Sequence, residues 1–86
     1  KYEEWKILRH CYYNSLRLAT RHGLQSIAFP NISTGAYRFP KDMAADVAIS
    51  TVIDYLKENP DIGKVYFVCY DEENLQVYQQ KIQEYT

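Results

Sequence analysis

The run Val65-Tyr66-Phe67-Val68-Cys69-Tyr70 constrains this chain more than any other segment. It is continuous in residues that favour extended backbone and has no polar alternation. That pattern predicts a strand buried on both faces, as in a parallel sheet covered by helices on each side. Such a strand needs neighbours. The sequence offers one other strand, Ser26-Ile27-Ala28-Phe29, a short apolar run stopped by Pro30. A helical segment lies between the two, and a strand-helix-strand order implies parallel strands joined by a right-handed crossover. Two parallel strands do not make a stable sheet. Further strands are therefore expected from a missing segment or a partner chain beyond these 86 residues.

The helices can be placed by period and punctuation. From about Glu3 to Arg21, Trp5, Leu8, Tyr12, Leu16 and Ala19 recur at helical spacing, and Ile7, Cys11 and Leu18 widen that stripe. Gly23 can take the left-handed conformation that ends a helix. Pro40 suits the first turn of a second helix running to about Glu58. Its inner side is read as Ala45, Ala48, Ile49, Val52, Ile53 and Leu56, with Ala44, Ala45 and Ala48 small enough for close approach to a sheet. Asn59-Pro60-Asp61 ends it, and Ile62-Gly63 turns the chain. Asp71 can cap a third helix with Leu75, Tyr78, Ile82 and Tyr85 on one face. No internal repeat, linker or low-complexity segment interrupts this helix-strand-helix-strand-helix order.

Charge narrows the function classes. With 10 basic and 11 acidic residues and a net charge of −1, there is no basic excess to hold a polyanion by counterion release. General nucleic-acid binding is disfavoured, and an anion must be held locally, by backbone donors or a few side chains. No apolar run is long enough to cross a membrane. Cys11 and Cys69 are too far apart for a C-x-x-C motif and read as two buried thiols of a reduced, intracellular protein, so a cytoplasmic location is expected. His10 and His22 read as partly exposed helix residues rather than metal ligands. Neither a metal nor a cofactor is expected. Most of the nine tyrosines fall on faces predicted to be buried and lack interleaved basic residues, which argues against a stacking surface for nucleic acid.

Ligands of open α/β sheets sit beyond the carboxyl ends of the strands. Residues 30–38 and 70–74 occupy that position. The first segment is rich in small and polar residues and leads into a helix N-terminus. Gly35 lets backbone approach a ligand closely, neighbouring N–H groups can converge on an anion, and the helix dipole favours negative charge. No G-K-[ST] or G-x-G-x-x-G motif is present. Taken alone, Ser-Thr-Gly after a strand fits an ordinary strand-to-helix turn better than a phosphate site. Ser33 and Thr34 have no histidine nearby in sequence to make either a nucleophile. Asp71-Glu72-Glu73 is better explained as a cap with first-turn acids than as a pair of catalytic carboxylates.

A longer pattern changes that weighting. Ser26-Ile-Ala-Phe-Pro-Asn-Ile-Ser-Thr-Gly-Ala-Tyr-Arg-Phe-Pro40 resembles the signature of macro domains, especially the group of O-acetyl-ADP-ribose deacetylases and mono-ADP-ribosyl hydrolases. Cys11-Tyr12 to Ala19 and Val65 to Asp71 are similar to that group in register. The resemblance implies a three-layer α/β/α fold. Residues 1–86 would form the C-terminal portion of a single macro domain, a partial αβαβα unit contributing two parallel strands. It implies amide contacts from Ser33, Thr34, Gly35 and Ala36 to a diphosphate, the Tyr37 ring against the distal ribose, and Tyr70 near the adenine. Asn31 stands where the family often has a small apolar residue, and Arg38 where it often has glycine. Motifs of the family's N-terminal half do not occur here: the adenine-recognising aspartate, the asparagine-rich segment and the glycine-rich loop with the catalytic acidic residue. The catalytic residues are thus expected outside this chain, which would be inactive alone. The implied partner is ADP-ribose or a derivative, including ADP-ribosylated protein. The implied activity of the intact protein is hydrolysis of O-acetyl-ADP-ribose or mono-ADP-ribosylated protein. The alternatives are a noncatalytic ADP-ribose reader and a small oligomerising interaction module.

Overall fold

The computed structural model describes residues 4–30 and 40–85. Helix α1 spans Glu4–Arg21, strand β1 Ser26–Pro30, helix α2 Lys41–Glu58, strand β2 Lys64–Val68 and helix α3 Glu72–Tyr85. The order matches the sequence reading, and the boundaries move by one or two residues. β1 and β2 pair in parallel, from Ser26 opposite Lys64 to Pro30 opposite Val68, with α2 as the connection.

Local chemistry sets the ends. Gly23 adopts φ 69°, and Leu24 N–H donates to Ala19 C=O at 3.0 Å while Gly23 N–H donates to Thr20 C=O at 3.1 Å. This is a Schellman closure, which glycine permits because it has no Cβ to clash. Pro40 lies one position earlier than its sequence signal suggested. At φ −59° and ψ 139° it is the N-cap, and its carbonyl accepts the Ala44 N–H at 2.9 Å. The missing proline N–H is harmless at either position, and the extended ψ places it outside the helix. Asp71 caps α3 as expected, its Oδ1 accepting the Asn74 N–H at 2.8 Å.

One core joins all three helices to a single face of the sheet. Leu8, Tyr12, Leu16 and Ala19 of α1 meet Ala44, Ala45, Ala48, Ile49, Val52 and Tyr55 of α2, with Phe29, Ile62 and Tyr78 completing the buried set. The ring of Tyr12 stands edge-on to Phe29 at 4.8 Å, and Phe67 lies 5.2 Å from Tyr78. Fully burying one such side chain stabilises by about 1.5–3 kcal/mol before entropy is counted. Ala45 and Ala48 are fully buried, so small side chains do bring α2 in close. Of the three layers expected of a whole macro domain, these residues supply a helical layer and a two-stranded piece of sheet.

Several expectations of burial fail. β2 is not buried on both faces: Tyr66 is 52% and Val68 44% exposed, while Val65 and Phe67 pack inward. β1 likewise buries Phe29 and leaves Ala28 exposed. Ile7, Cys11 and Leu18 do not widen the buried stripe of α1; all three are exposed, as is Trp5. On α3 only Tyr78 of the predicted face is buried, and Leu75, Ile82 and Tyr85 are exposed. Cys11 is exposed and Cys69 half-buried, with no disulfide between them. Tyr12, Tyr55 and Tyr78 are buried, but Tyr13, Tyr66, Tyr70 and Tyr85 are exposed. The reason is common to all: helices cover one side of the sheet, so apolar residues pointing elsewhere have nothing to meet. No helix among the described residues is long and apolar enough to cross a membrane.

Candidate functional site

Parallel strands end on the same side, so the carboxyl ends of β1 and β2 and the N-termini of α2 and α3 share one edge of the molecule. Pro30 and Val68, paired across the sheet, end the two strands there. Asn31, Ser33, Thr34, Gly35, Ala36, Tyr37 and Arg38 lie outside the described residues. Tyr70 is described, two residues beyond β2 and 75% exposed. It therefore stands on the side where ligands of such sheets bind.

Around Tyr70 the first turns of α2 and α3 are tied together. Asp71 Oδ1 accepts the Asn74 N–H at 2.8 Å and the Asn74 amide Nδ2–H at 3.0 Å, and Leu75 N–H donates to the Asp71 carbonyl at 3.1 Å. The Asn74 N–H is the main reason the Asp71 carboxyl is held below its ordinary value, and Lys41 helps. Because Asp71 can only accept, it fixes the Asn74 amide with nitrogen toward Asp71. Among the described residues the Asn74 Oδ1 is then buried without a hydrogen-bond partner, an arrangement that costs about 1–3 kcal/mol if nothing else satisfies it. Lys41 Nζ donates to Glu73 Oε1 at 2.6 Å, and that carboxylate pushes the lysine pKa up.

The charge here bears on mechanism. Lys41 stands among Asp42, Asp71, Glu72 and Glu73, so side chains of the described residues do not make this edge positive. Among the described residues, what this edge offers an anion is backbone N–H groups and helix dipoles. The sequence reading did not single out Lys41. Its only local signal was its place at the start of a helix, and its partner lies 32 residues away.

Elsewhere the residues give less. A groove of about 310 Å³ between α1 and the second half of α2 is lined by Arg9, Tyr13, Thr51, Asp54, Tyr55, Lys57 and Glu58, whose charges balance. Tyr12 is neutral in the core, its phenol pushed far up by burial and then by Tyr78. His10 and His22 are exposed. No cluster of three or more His, Cys, Asp or Glu able to hold a metal occurs among the described residues.

Comparison with known proteins places this arrangement. The Macro domain family model matches residues 1–48. An O-acetyl-ADP-ribose deacetylase of Cronobacter turicensis is 51% identical over 95% of the chain and 47% of its own length. A macro domain-containing protein of Cupriavidus necator is 48% identical over 92% of the chain and 46% of its own length. Among solved structures, the Oceanobacillus iheyensis macrodomain with ADP overlays 96% of this chain and 43% of its own, with a TM-score of 0.90 and 40% identity. The Trypanosoma brucei macrodomain in complex with ADP-ribose overlays 93% of this chain and 35% of its own, with a TM-score of 0.87 and 32% identity. The chain spans just under half the length of the curated relatives it matches. Its sequence and its fold agree, and the chain belongs to the macro domain family.

Proposed function

We propose that this protein binds ADP-ribose at the carboxyl edge of β1 and β2, and that the intact protein hydrolyses O-acetyl-ADP-ribose or mono-ADP-ribosylated protein. The observation that carries this reading is 51% identity across 95% of the chain to a protein named O-acetyl-ADP-ribose deacetylase. In this reading the amides of Ser33, Thr34, Gly35 and Ala36 hold the diphosphate, and Tyr37 lies against the distal ribose. Tyr70 packs near the adenine, a contact worth about 1–3 kcal/mol if it behaves as base-aromatic stacking does elsewhere. The exposure of Tyr70 at the end of β2 supports its part, and the lack of net positive side-chain charge among the described residues of this edge supports a phosphate loop made of amides.

Residues 1–86 act as the C-terminal portion of one macro domain in the cytoplasm, and water is activated by residues they do not contain. Contacts to the nonreacting phosphates and adenine then orient the scissile bond. Titration calorimetry of the full-length protein with ADP-ribose tests the binding step. Binding is expected for the wild type and lost in Gly35→Glu, which puts a bulky like charge among the phosphates. Unchanged affinity in that variant removes the loop from the site. Turnover of O-acetyl-ADP-ribose tests the reaction, and binding without turnover of either substrate class makes the protein a reader instead.

A further inference from the structure

Helix α1 is set apart from the other helices by charge. It carries Lys6, Arg9, Arg17 and Arg21 against Glu4 alone. In α2, Lys41 and Lys57 are outnumbered by Asp42, Asp46, Asp54 and Glu58, and in α3 Lys81 by Glu72, Glu73 and Glu84. A net charge of −1 for the whole chain thus hides one basic helix.

The charges of α1 are also sorted by face. At about 100° per residue, Lys6, His10, Asn14, Arg17 and Arg21 fall within roughly 80° of one another, opposite the buried Leu8, Tyr12, Leu16 and Ala19. All five are exposed. The ridge they form is about 22 Å long at roughly 1.5 Å per residue. Arg9 lies off this line, toward α2, where it meets Thr51 and Asp54. Because the core is on the far side of α1, a further layer on the uncovered face of the sheet would leave the ridge in solvent.

Asn14, Arg17, Leu18 and Arg21 line a depression of about 270 Å³ on this ridge. Arg9, Lys41 and Lys81 each have a carboxylate within reach. Arg17 and Arg21 have none among the described residues, and they stand one turn apart, where like charges repel. The helix dipole favours Arg21 in the last turn, but Arg17 lies before that turn and gains little from it.

We propose that this ridge is a docking surface for an acidic segment of a partner protein, with Arg17 and Arg21 clamping its carboxylates. A guanidinium holds a carboxylate through two parallel N–H donors, and the Asn14 amide offers a further donor beside them. A long nucleic acid fits less well. It would run past the ridge toward the acids of α2, of which Asp54 and Glu58 line the groove between α1 and α2. The surface is separate from the ADP-ribose site. Since α1 ends at Arg21 and β1 begins at Ser26, the two arginines lie toward the amino end of the sheet, away from the edge where Tyr70 stands.

The test follows the fluorescence anisotropy of a labelled peptide of about fifteen residues, matched to the ridge in length, with glutamate at every fourth position. The full-length protein should bind it, and added salt should weaken the complex by screening. Arg17→Gln and Arg21→Gln should each weaken binding by roughly two- to five-fold, and Arg17→Glu with Arg21→Glu should abolish it. Glutamine is a good helix former, so the circular dichroism of the single variants should match wild type. Lys81→Gln on α3 should leave affinity unchanged, and so should saturating ADP-ribose. No binding at low salt overturns the proposal, as does equal affinity of wild type and both glutamine variants. A control peptide with glutamine in place of glutamate that binds equally well also overturns it, because charge would then not be what is recognised. A single-stranded RNA that binds more tightly than the peptide, and is released by the same variants, overturns the choice of partner in favour of nucleic acid.

Discussion

The two faces of the β1–β2 sheet are built from alternate residues of the same strands, yet they have opposite fates. On one face Ile27, Phe29, Val65 and Phe67 pack into the core with Tyr12 and Tyr78. On the other, Ala28, Tyr66 and Val68 are exposed, and Tyr70 continues that row beyond the strand. Neither of these rows carries a charge, although the buried one is the more apolar. What differs is the presence of helices, since α1, α2 and α3 all lie against the first face. A strand that is apolar throughout thus records the environment of a whole domain, and a chain spanning just under half of its relatives supplies only one side of it.

The largest test of this contrast is Phe29→Ala. Phe29 is 4% exposed, and removing its ring should cost about 3–5 kcal/mol in chemical denaturation. A small cost would mean that the covered face is not the core. Tyr66→Ala on the opposite face should cost about 0.5 kcal/mol or less in the 86-residue chain. The same change in an intact protein whose further layers cover that face should rise toward the cost of Phe29→Ala. Equal small costs in both settings would leave the face bare in the whole domain too.

A smaller effect concerns the edge between the two faces, where caps depend on neither. The Asp71 carboxyl is held below its ordinary value of 3.8 mainly by the Asn74 N–H. Its stabilisation is therefore present above that value and lost as pH falls through the folded value. Asp71→Asn keeps an acceptor for the cap without the charge, so its stability should fall less than wild type's in acid denaturation below about pH 4. Parallel acid curves for the two proteins would mean that the cap is not formed.

Boundaries were legible because they rest on local chemistry. Gly23, Pro40, Asn59 and Asp71 act within a few residues of themselves, and each lies within about a residue of the end it foretold. The macro-domain resemblance was also legible, through a continuous stretch ending at Pro40, and the family model and solved structures agree with it. Burial was legible only where a helical stripe met the core, as with Leu8, Tyr12, Leu16 and Ala19. Ile7, Cys11 and Leu18 occupy equally plausible apolar positions on α1 and are exposed, because helical period shows which residues share a face but not what that face meets.

By itself, then, the sequence determined the element order, the parallel pairing implied by strand-helix-strand, the helix ends and the family. These follow from spacing, backbone preferences and a continuous motif, all properties of neighbouring residues. The tertiary structure alone decided that, among the described residues, one face of the sheet is uncovered and Asn74 Oδ1 is buried without a partner, and that Lys41 meets Glu73. Each of these depends on residues far apart in the chain, brought together by how α2 and α3 pack, and no local pattern encodes such a distance.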